Sequence, residues 1–306
     1  GGQNRSNLAR HVVVEELLAS GAPVAAHWFA ERQVGPSILR YGTEVQRARY
    51  LPAITRGELF FAIGLSEPDS GSDLASVRTI ARRLDGGWRI DGRKIWTSHA
   101  HRAHAILALC RTSDSGGRHE GLSQFLVALP KDGIEVRPIR LMSGEEHFCE
   151  VVFDNVKVED DALLGTEGEG WMQVTSELAF ERSGPERLLS TYPLLRRVLA
   201  MPIETELRAE RGRLAAELTA LRFLSASVAR LSDEGQAPAT QAALVKDLGT
   251  RFERQVVELA RRVLPSADET TVELYRQAEL AAPTFTLRGG TTEIMRGIVS
   301  GALVGS

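Results

Sequence analysis

The chain has 306 residues, an apolar fraction of 43%, a charged fraction of 25% and a formal net charge of −3. This near-neutral balance argues against a nucleic-acid binder, which would show a basic excess or a basic face. No apolar run is long enough to span a bilayer, which argues against a membrane protein. The length allows a sizeable core and two or three structural units. Two cysteines, Cys110 and Cys149, do not make a disulfide framework in a chain this long, so a reducing cytoplasm is the expected compartment. The opening "GGQNRSNLAR" is neither a signal peptide nor an initiator-methionine start, which suggests truncation.

Three zones follow in chain order. Residues 1–62 read as helical: in "NLARHVVVEELLASG" apolar positions recur at helical spacing before Gly21, and "TEVQRARYLPAITRGE" reads as a second short helix cut by Pro52. Residues 63–164 read as β. "VRTIARRL" and "WRIDGRKIW" flank Asp85-Gly86-Gly87, a hairpin signal, and "AHAILALC", "LSQFLVAL", "GIEVRPI" and "EVVFDNVKV" follow as short strands. With no helices between them, the expectation is an antiparallel sheet or barrel and not a parallel one. Residues 165–306 read as helical again, with long amphipathic stretches at about 170–200, 203–234 and 238–264 and shorter ones near 269–280 and 291–304. Pro185, Pro193, Pro202 and Pro265 mark breaks or entries, and the short connections predict an antiparallel helical bundle.

Several stretches could carry chemistry. The glycines of "GTEGEGW" at 165–171 leave a β zone for a helix with no βαβ unit around them, so a dinucleotide fingerprint is rejected in favour of a linker anchored by Trp171. In "HAHRAH" at 99–104 the run is expected to enter a strand, with His99 and His101 on one face and His104 on the other. That arrangement does not converge on a metal, and none is expected. "GLSEPDSGSD" at 64–73 is dense in hydroxyls and glycines, and serves equally well as a ligand-binding turn or a plain loop. In "GRKIWTSHA" at 92–100, period-two spacing puts Trp96 and Ser98 on one strand face. A planar group could stack there, although a core tryptophan is the commoner case.

Taken together, "GLSEPDSGSDLAS", "GRKIWTS" and the terminal "GGTTEIMRG" resemble the acyl-CoA dehydrogenase family of flavoproteins, over nearly the whole chain. The resemblance implies a helical domain, a β-barrel and a four-helix bundle, in line with the three zones. It also implies a longer N-terminal helical domain than the residues before Gly64 provide. It implies FAD, with Leu65 and Ser66 at the isoalloxazine edge, Trp96 against the ring and Ser98 hydrogen-bonding flavin N5. Ser72 would lie near the CoA moiety, and the loop with Gly290, Thr291 and Glu293 would close over the flavin and its phosphates, its helix N-terminus suited to negative charge.

The implied reaction is α,β-dehydrogenation of an acyl-CoA thioester, in which a base takes the α-proton and the flavin takes the β-hydride. Many members carry the base as a glutamate directly before the "GT", where this chain has Gly289. A subset that includes isovaleryl-type enzymes carries it on the helix after the barrel, as a glutamate followed by arginine. "SELAFERSGPER" puts Glu181 and Arg182 there, with Glu177 and Glu186 matching less well. Gly289 and Gly290 then leave room for a branched or bulky acyl group, with Gly289 and Arg182 on the substrate side. The family's Arg-x-x-Phe-Gly and Gly-Gly-x-Gly segments, which grip the FAD adenine half across a subunit boundary, are replaced by "VLAMPIETELRAERG" and "RRVLPSADETT". "FERSGPERLLS" and "TLRGGTTEIMRG" look most like actinobacterial heterotetramers of steroid breakdown. The implied partners are an electron-transfer flavoprotein or similar acceptor and the other subunits of a homo- or heterotetramer. A subunit that only completes a partner's site, or an oxidase or monooxygenase on the same scaffold, are the alternatives.

Overall fold

The computed structural model describes residue 3 and residues 5–114, 116–202 and 205–305; for residues 26 and 179–181 it describes the backbone alone. The chain forms two compact units: residues 25–177 with the first three residues, and residues 4–24 with 178–306.

In the first unit a short helix α2 (Ala25–His27) runs through a π-helical turn, Trp28–Val34, into α3 (Gly35–Tyr41), and α4 (Glu44–Thr55) follows. A capping box between Thr43 and Gln46 starts α4. The side-chain amide of Gln46 then donates to the carbonyls of Asp161 and Leu163 at 2.7 and 2.8 Å. The expected break at Pro52 does not occur, because Pro52 lies inside α4 near its end, where the missing donor affects one bond only. Tyr50 and Ile54, both buried, carry the helix past it.

Eight strands form one sheet: β1 (Phe61–Gly64), β2 (Ile80–Leu84), β3 (Gly87–Ser98), β4 (Ala105–Arg111), β5 (Leu122–Ala128), β6 (Ile134–Ile139), β7 (Phe148–Glu159) and β8 (Leu163–Leu164). The order is β6-β7-β3-β2-β4-β5-β8, with β1 paired beside β4. The hairpin expected at Asp85-Gly86 is present, with Leu84 opposite Gly87 and Gly86 at φ 74°. Two expectations are corrected. The sheet is open and not a barrel: its path ends at β6, paired with β7, and at the two-residue β8, too short to offer a closing ladder. Nor is it purely antiparallel, because β1 runs parallel to β4 and β2 meets β4 in parallel at Ile80 and Arg111.

Strand β4 is buried on both faces. Ile106, Ala108 and Cys110 join a core with Trp88, Ile90, Phe125 and Phe153. Ala105 and Leu107 join another with Val34, Ile38, Tyr50 and Ile54 from the helices. Two-sided burial explains the continuous apolar run "AILALC".

Helix α5 (Gly170–Arg182) leads from this unit into the second. There the stretch over 170–200 is divided at the marked prolines: residues 183–191 leave the helix, with a 3-10 turn opened by Pro185, and α6 (Tyr192–Ala200) starts afresh with Pro193 in its first turn. Next come α7 (Thr205–Asp233), α8 (Ala239–Val263), α9 (Glu269–Phe285) and α10 (Thr292–Val304). Helix α1 (Asn7–Ala19) belongs here too, ending at Gly21 in the left-handed region. It is tied to α7 by Glu15–Arg222 and by Asp233, which accepts from the amides of Asn7 and Leu8. The core gathers Leu195, Leu214, Leu221, Phe252, Val256 and Leu259.

Candidate active site

In the first unit, the segment after β1 is built around a buried ion pair. Lys94, fully buried on β3, donates from Nζ to Glu67 Oε1 at 2.8 Å and to the Leu65 carbonyl at 3.1 Å. Glu67 also accepts from the amides of Arg78 and Thr79 at 2.7 and 2.8 Å. Burial alone would raise the Glu67 carboxyl, but the Lys94 charge and these donors outweigh it and hold Glu67 below its usual value. Burial pulls the Lys94 ammonium down, against the opposing effect of Cys110 and Glu67. The Ser66 carbonyl accepts from the Ile95 amide at 2.9 Å. Leu65 and Ser66 are thus fixed to β3 by their carbonyls, while Ser72, five residues past Glu67, stays exposed. Gly64 sets the close approach, since a Cβ there would lie 2.9 Å from Ile106 Cδ1 and 3.1 Å from Lys94 Cγ.

Beyond Lys94 the strand bulges. The β3–β7 register slips between Lys94 and Thr97, and Trp96 takes φ 57°. Upstream, Trp88, Ile90 and Lys94 are buried; past the bulge Thr97 is buried and Trp96 is 53% exposed. Trp96 and Ser98 share one face, as period two predicts, but the bulge reverses the parity by which Trp88, Ile90 and Lys94 are buried and so turns that face off the core. The Trp96 indole meets only the edge of Phe148, at 5.8 Å and 87°, which leaves much of the ring uncovered.

The histidine run does not enter the strand as expected. His99 sits at φ 54° and Ala100–Arg102 form a 3-10 turn, beyond the last β3–β7 pair, Ser98 with Phe148. The rings of His99 and His147 lie 5.7 Å apart, His101 Nδ1 lies 3.1 Å from Cys149 Sγ, and His104 Nδ1 accepts from the Phe60 amide. Burial pushes the Cys149 thiol up, and that of Cys110 up to about 12, so both stay protonated core thiols. Among the described residues no group of histidine, cysteine and carboxylate side chains could hold a metal ion. No described helix is long and apolar enough to cross a membrane.

In the second unit, the loop before α10 is shaped from below. Gly289 and Gly290 have φ of 69° and 99°. A Cβ on Gly289 would lie 2.7 Å from Nη2 of Arg187, a residue only 4% exposed; one on Gly290 would lie 2.7 Å from Met295 Cε. Arg182 Nε donates to the Gly289 carbonyl at 3.3 Å. Arg288 binds the fully buried Glu253 at 2.5 Å, and Glu253 also accepts from the Ser190 amide at 2.9 Å and from its hydroxyl. Thr291 caps α10, accepting from Ile294. Glu293 is held below its usual value by its own amide and the Thr291 hydroxyl, a helix-start role. The backbone of Glu181 lies on α5 one residue before Arg182, while its side chain lies outside the described residues. Glu177 is buried in the first unit, where its Oε1 accepts from Ser37 Oγ at 2.7 Å. The sequence reading missed Lys94, Glu67, Arg187 and Glu253, all buried charges.

A helical start, an open sheet and a helical end keep the order of zones that the resemblance implies, and the comparisons show the family. Models of the N-terminal, middle and C-terminal domains of acyl-CoA dehydrogenase match residues 1–58, 62–156 and 203–304. The chain is 33% identical to acyl-CoA dehydrogenase IpdE1 of Mycobacterium tuberculosis, over 100% of this chain and 82% of that protein. It is 34% identical to acyl-CoA dehydrogenase FadE34 of the same organism over 99% of this chain, and spans only 43% of that protein's length. Among solved structures, the Tcur3481-Tcur3483 steroid ACAD G363A variant superposes with a TM-score of 0.90 at 28% identity, covering 100% of this chain and 84% of that one. The chain belongs to the acyl-CoA dehydrogenase family, a family of FAD-dependent oxidoreductases.

The residues present fit FAD. The half-exposed indole of Trp96 offers a planar face on which a flavin ring could stack.

Proposed function

We propose that this chain catalyses FAD-dependent α,β-dehydrogenation of an acyl-CoA thioester, with Glu181 as the base. The observation that carries this reading is the hydrogen bond from Arg182 to the Gly289 carbonyl. It ties the end of α5 that bears Glu181 to the loop where many family members carry their acid. An acid at Gly289 itself is opposed by its left-handed backbone and by Arg187. Glu177, the nearest competitor on the helix, is engaged by Ser37.

Trp96, Leu65, Ser66 and Ser98 would hold the ring of the cofactor, and Gly290, Thr291 and Glu293 would form its lid. FAD, when bound, supplies the acceptor for the hydride equivalent leaving the substrate β-carbon. The carboxylate of Glu181 takes the proton from the α-carbon, which is acidified by hydrogen bonds to the thioester carbonyl. Ser72 would meet the CoA moiety, with Arg182 and Gly289 beside the acyl group. The steroid ACAD among the relatives favours a bulky or branched acyl chain. An electron-transfer flavoprotein is the proposed acceptor.

The test is Glu181→Gln in flavin-loaded protein mixed with linear, branched and steroid-side-chain acyl-CoAs. Loss of flavin bleaching with FAD still bound is expected; bleaching at the wild-type rate would remove Glu181 from the role. A second reading, in which an unlike chain completes the site, is favoured by the Tcur3481-Tcur3483 relative, whose description names two chains. Its signature is bleaching that appears only when a partner chain is added.

A further inference from the structure

We propose that the buried Glu67–Lys94 pair is a positioning device for the flavin platform, locking Leu65, Ser66 and Trp96 into one rigid unit; this rests on the functional reading above. The pair does more than satisfy two charges. Lys94 Nζ divides its donors between Glu67 and the Leu65 carbonyl. The next amide, that of Ile95, takes the Ser66 carbonyl. On the other side, Glu67 reaches 11 and 12 residues along the chain to the amides of Arg78 and Thr79, while its own amide and carbonyl bond Ser70 at 2.7 and 3.1 Å. One carboxylate therefore closes the whole turn over 67–79, and one ammonium fastens that turn to β3 two residues before Trp96.

The bulge explains why this position needs such a fastening. A tryptophan at φ 57° in a strand is costly unless its neighbours over-determine it. Lys94 stands at the last position before the register slips, and Thr97 at the first after it. A buried ion pair adds little to stability compared with an apolar pair of like volume, but it fixes geometry where both partners are fully hydrogen-bonded. Holding a binding segment in its bound form lowers the ordering cost of association.

The experiment compares wild type with the neutral double variant Glu67→Gln/Lys94→Met, in which the Gln carbonyl can accept from Arg78 or from Thr79 but not from both, since the two amides bind different oxygens of Glu67. Three quantities are read: the unfolding midpoint of the FAD-free protein, the FAD dissociation constant and the shape of the bound-flavin absorption band. The expected result is an FAD-free protein that still unfolds cooperatively at a lowered midpoint, an FAD dissociation constant raised about tenfold or more, and an altered band. A double variant that folds, binds FAD as tightly as wild type and shows the same band overturns the positioning role alone. A wild-type chain that binds no FAD, with or without a partner chain, overturns the functional reading instead. If the variant does not fold, hydrogen exchange on wild type decides the matter. FAD should slow exchange over residues 65–79 and 94–98 together, and protection of one segment without the other would overturn the proposal.

Discussion

Replacing Gly289 by alanine adds one methyl group at the point where the loop before α10 passes over Arg187. Two costs follow. The backbone sits at φ 69°, where a residue with a Cβ is disfavoured by roughly 1–2 kcal/mol. The methyl would also stand 2.7 Å from Arg187 Nη2 and 2.9 Å from Cζ, well inside contact distance. Arg187 is almost fully buried and cannot swing into water, so it must leave its rotamer at a cost of about 0.5–1.5 kcal/mol. Together these give about 1.5–3.5 kcal/mol, a fall on the order of 5–10 °C in unfolding midpoint for a unit of this size. Urea and thermal unfolding of the FAD-free protein measure it, with Gly212→Ala as the control. Gly212 lies within α7 with nothing within 4 Å of an added Cβ, so that change should stabilise by roughly 0.5–1 kcal/mol. If Gly289→Ala matches wild type, the loop is not shaped by Arg187 and the argument that no acid can stand at 289 fails with it.

Two further outcomes come from the buried charges of the second unit. Arg288→Met should destabilise by about 2–4 kcal/mol in urea, because Glu253 keeps only Ser190 among the partners described above; the partial exposure of Arg288 sets the lower end. Burial first, then Arg187 and Arg288, press the Lys246 ammonium from 10.5 down to about 8. From about pH 8 to 10.5 the unfolded chain therefore holds a proton that the folded one has released, and stability should rise with pH by up to about 1.4 kcal/mol per unit. Below pH 8 both states are protonated and the penalty is constant. Lys246→Met should abolish the rise, because Thr250 Oγ1 still donates to the Phe285 carbonyl that Lys246 serves.

Much of the fold could be read from the residues because local signals and burial agree there. The Asp85-Gly86 turn and the apolar runs of β4 and β5 mark strands, and Gly21 marks a helix end. Residues 25–41 read only as part of the helical zone, without separate elements; Pro36 sits in the first turn of α3, where its missing donor costs nothing. Pro52 misled because it reads as a break, yet it lies inside α4. Closure of the sheet depends on strand lengths at both edges, and no short stretch encodes that. In the candidate site the shared face of Trp96 and Ser98 was readable from spacing, whereas the direction that face takes depends on the bulge. For Lys94 a signal exists in the residues: Trp88, Ile90 and Lys94 share one parity, which places the lysine on the buried face.

That parity has a consequence for how β3 can change. The extra residue near Trp96 acts as a phase shift: upstream the even-numbered positions Trp88, Ile90 and Lys94 face the core, and past the slip the odd-numbered Thr97 does. Side chains upstream can vary with the core and leave the outward message untouched. Adding a single further residue at the slip, one that the bulge does not absorb, would exchange the two readings, sending the indole inward and Thr97 outward. The tryptophan platform is therefore a property of the count of residues as much as of their kind.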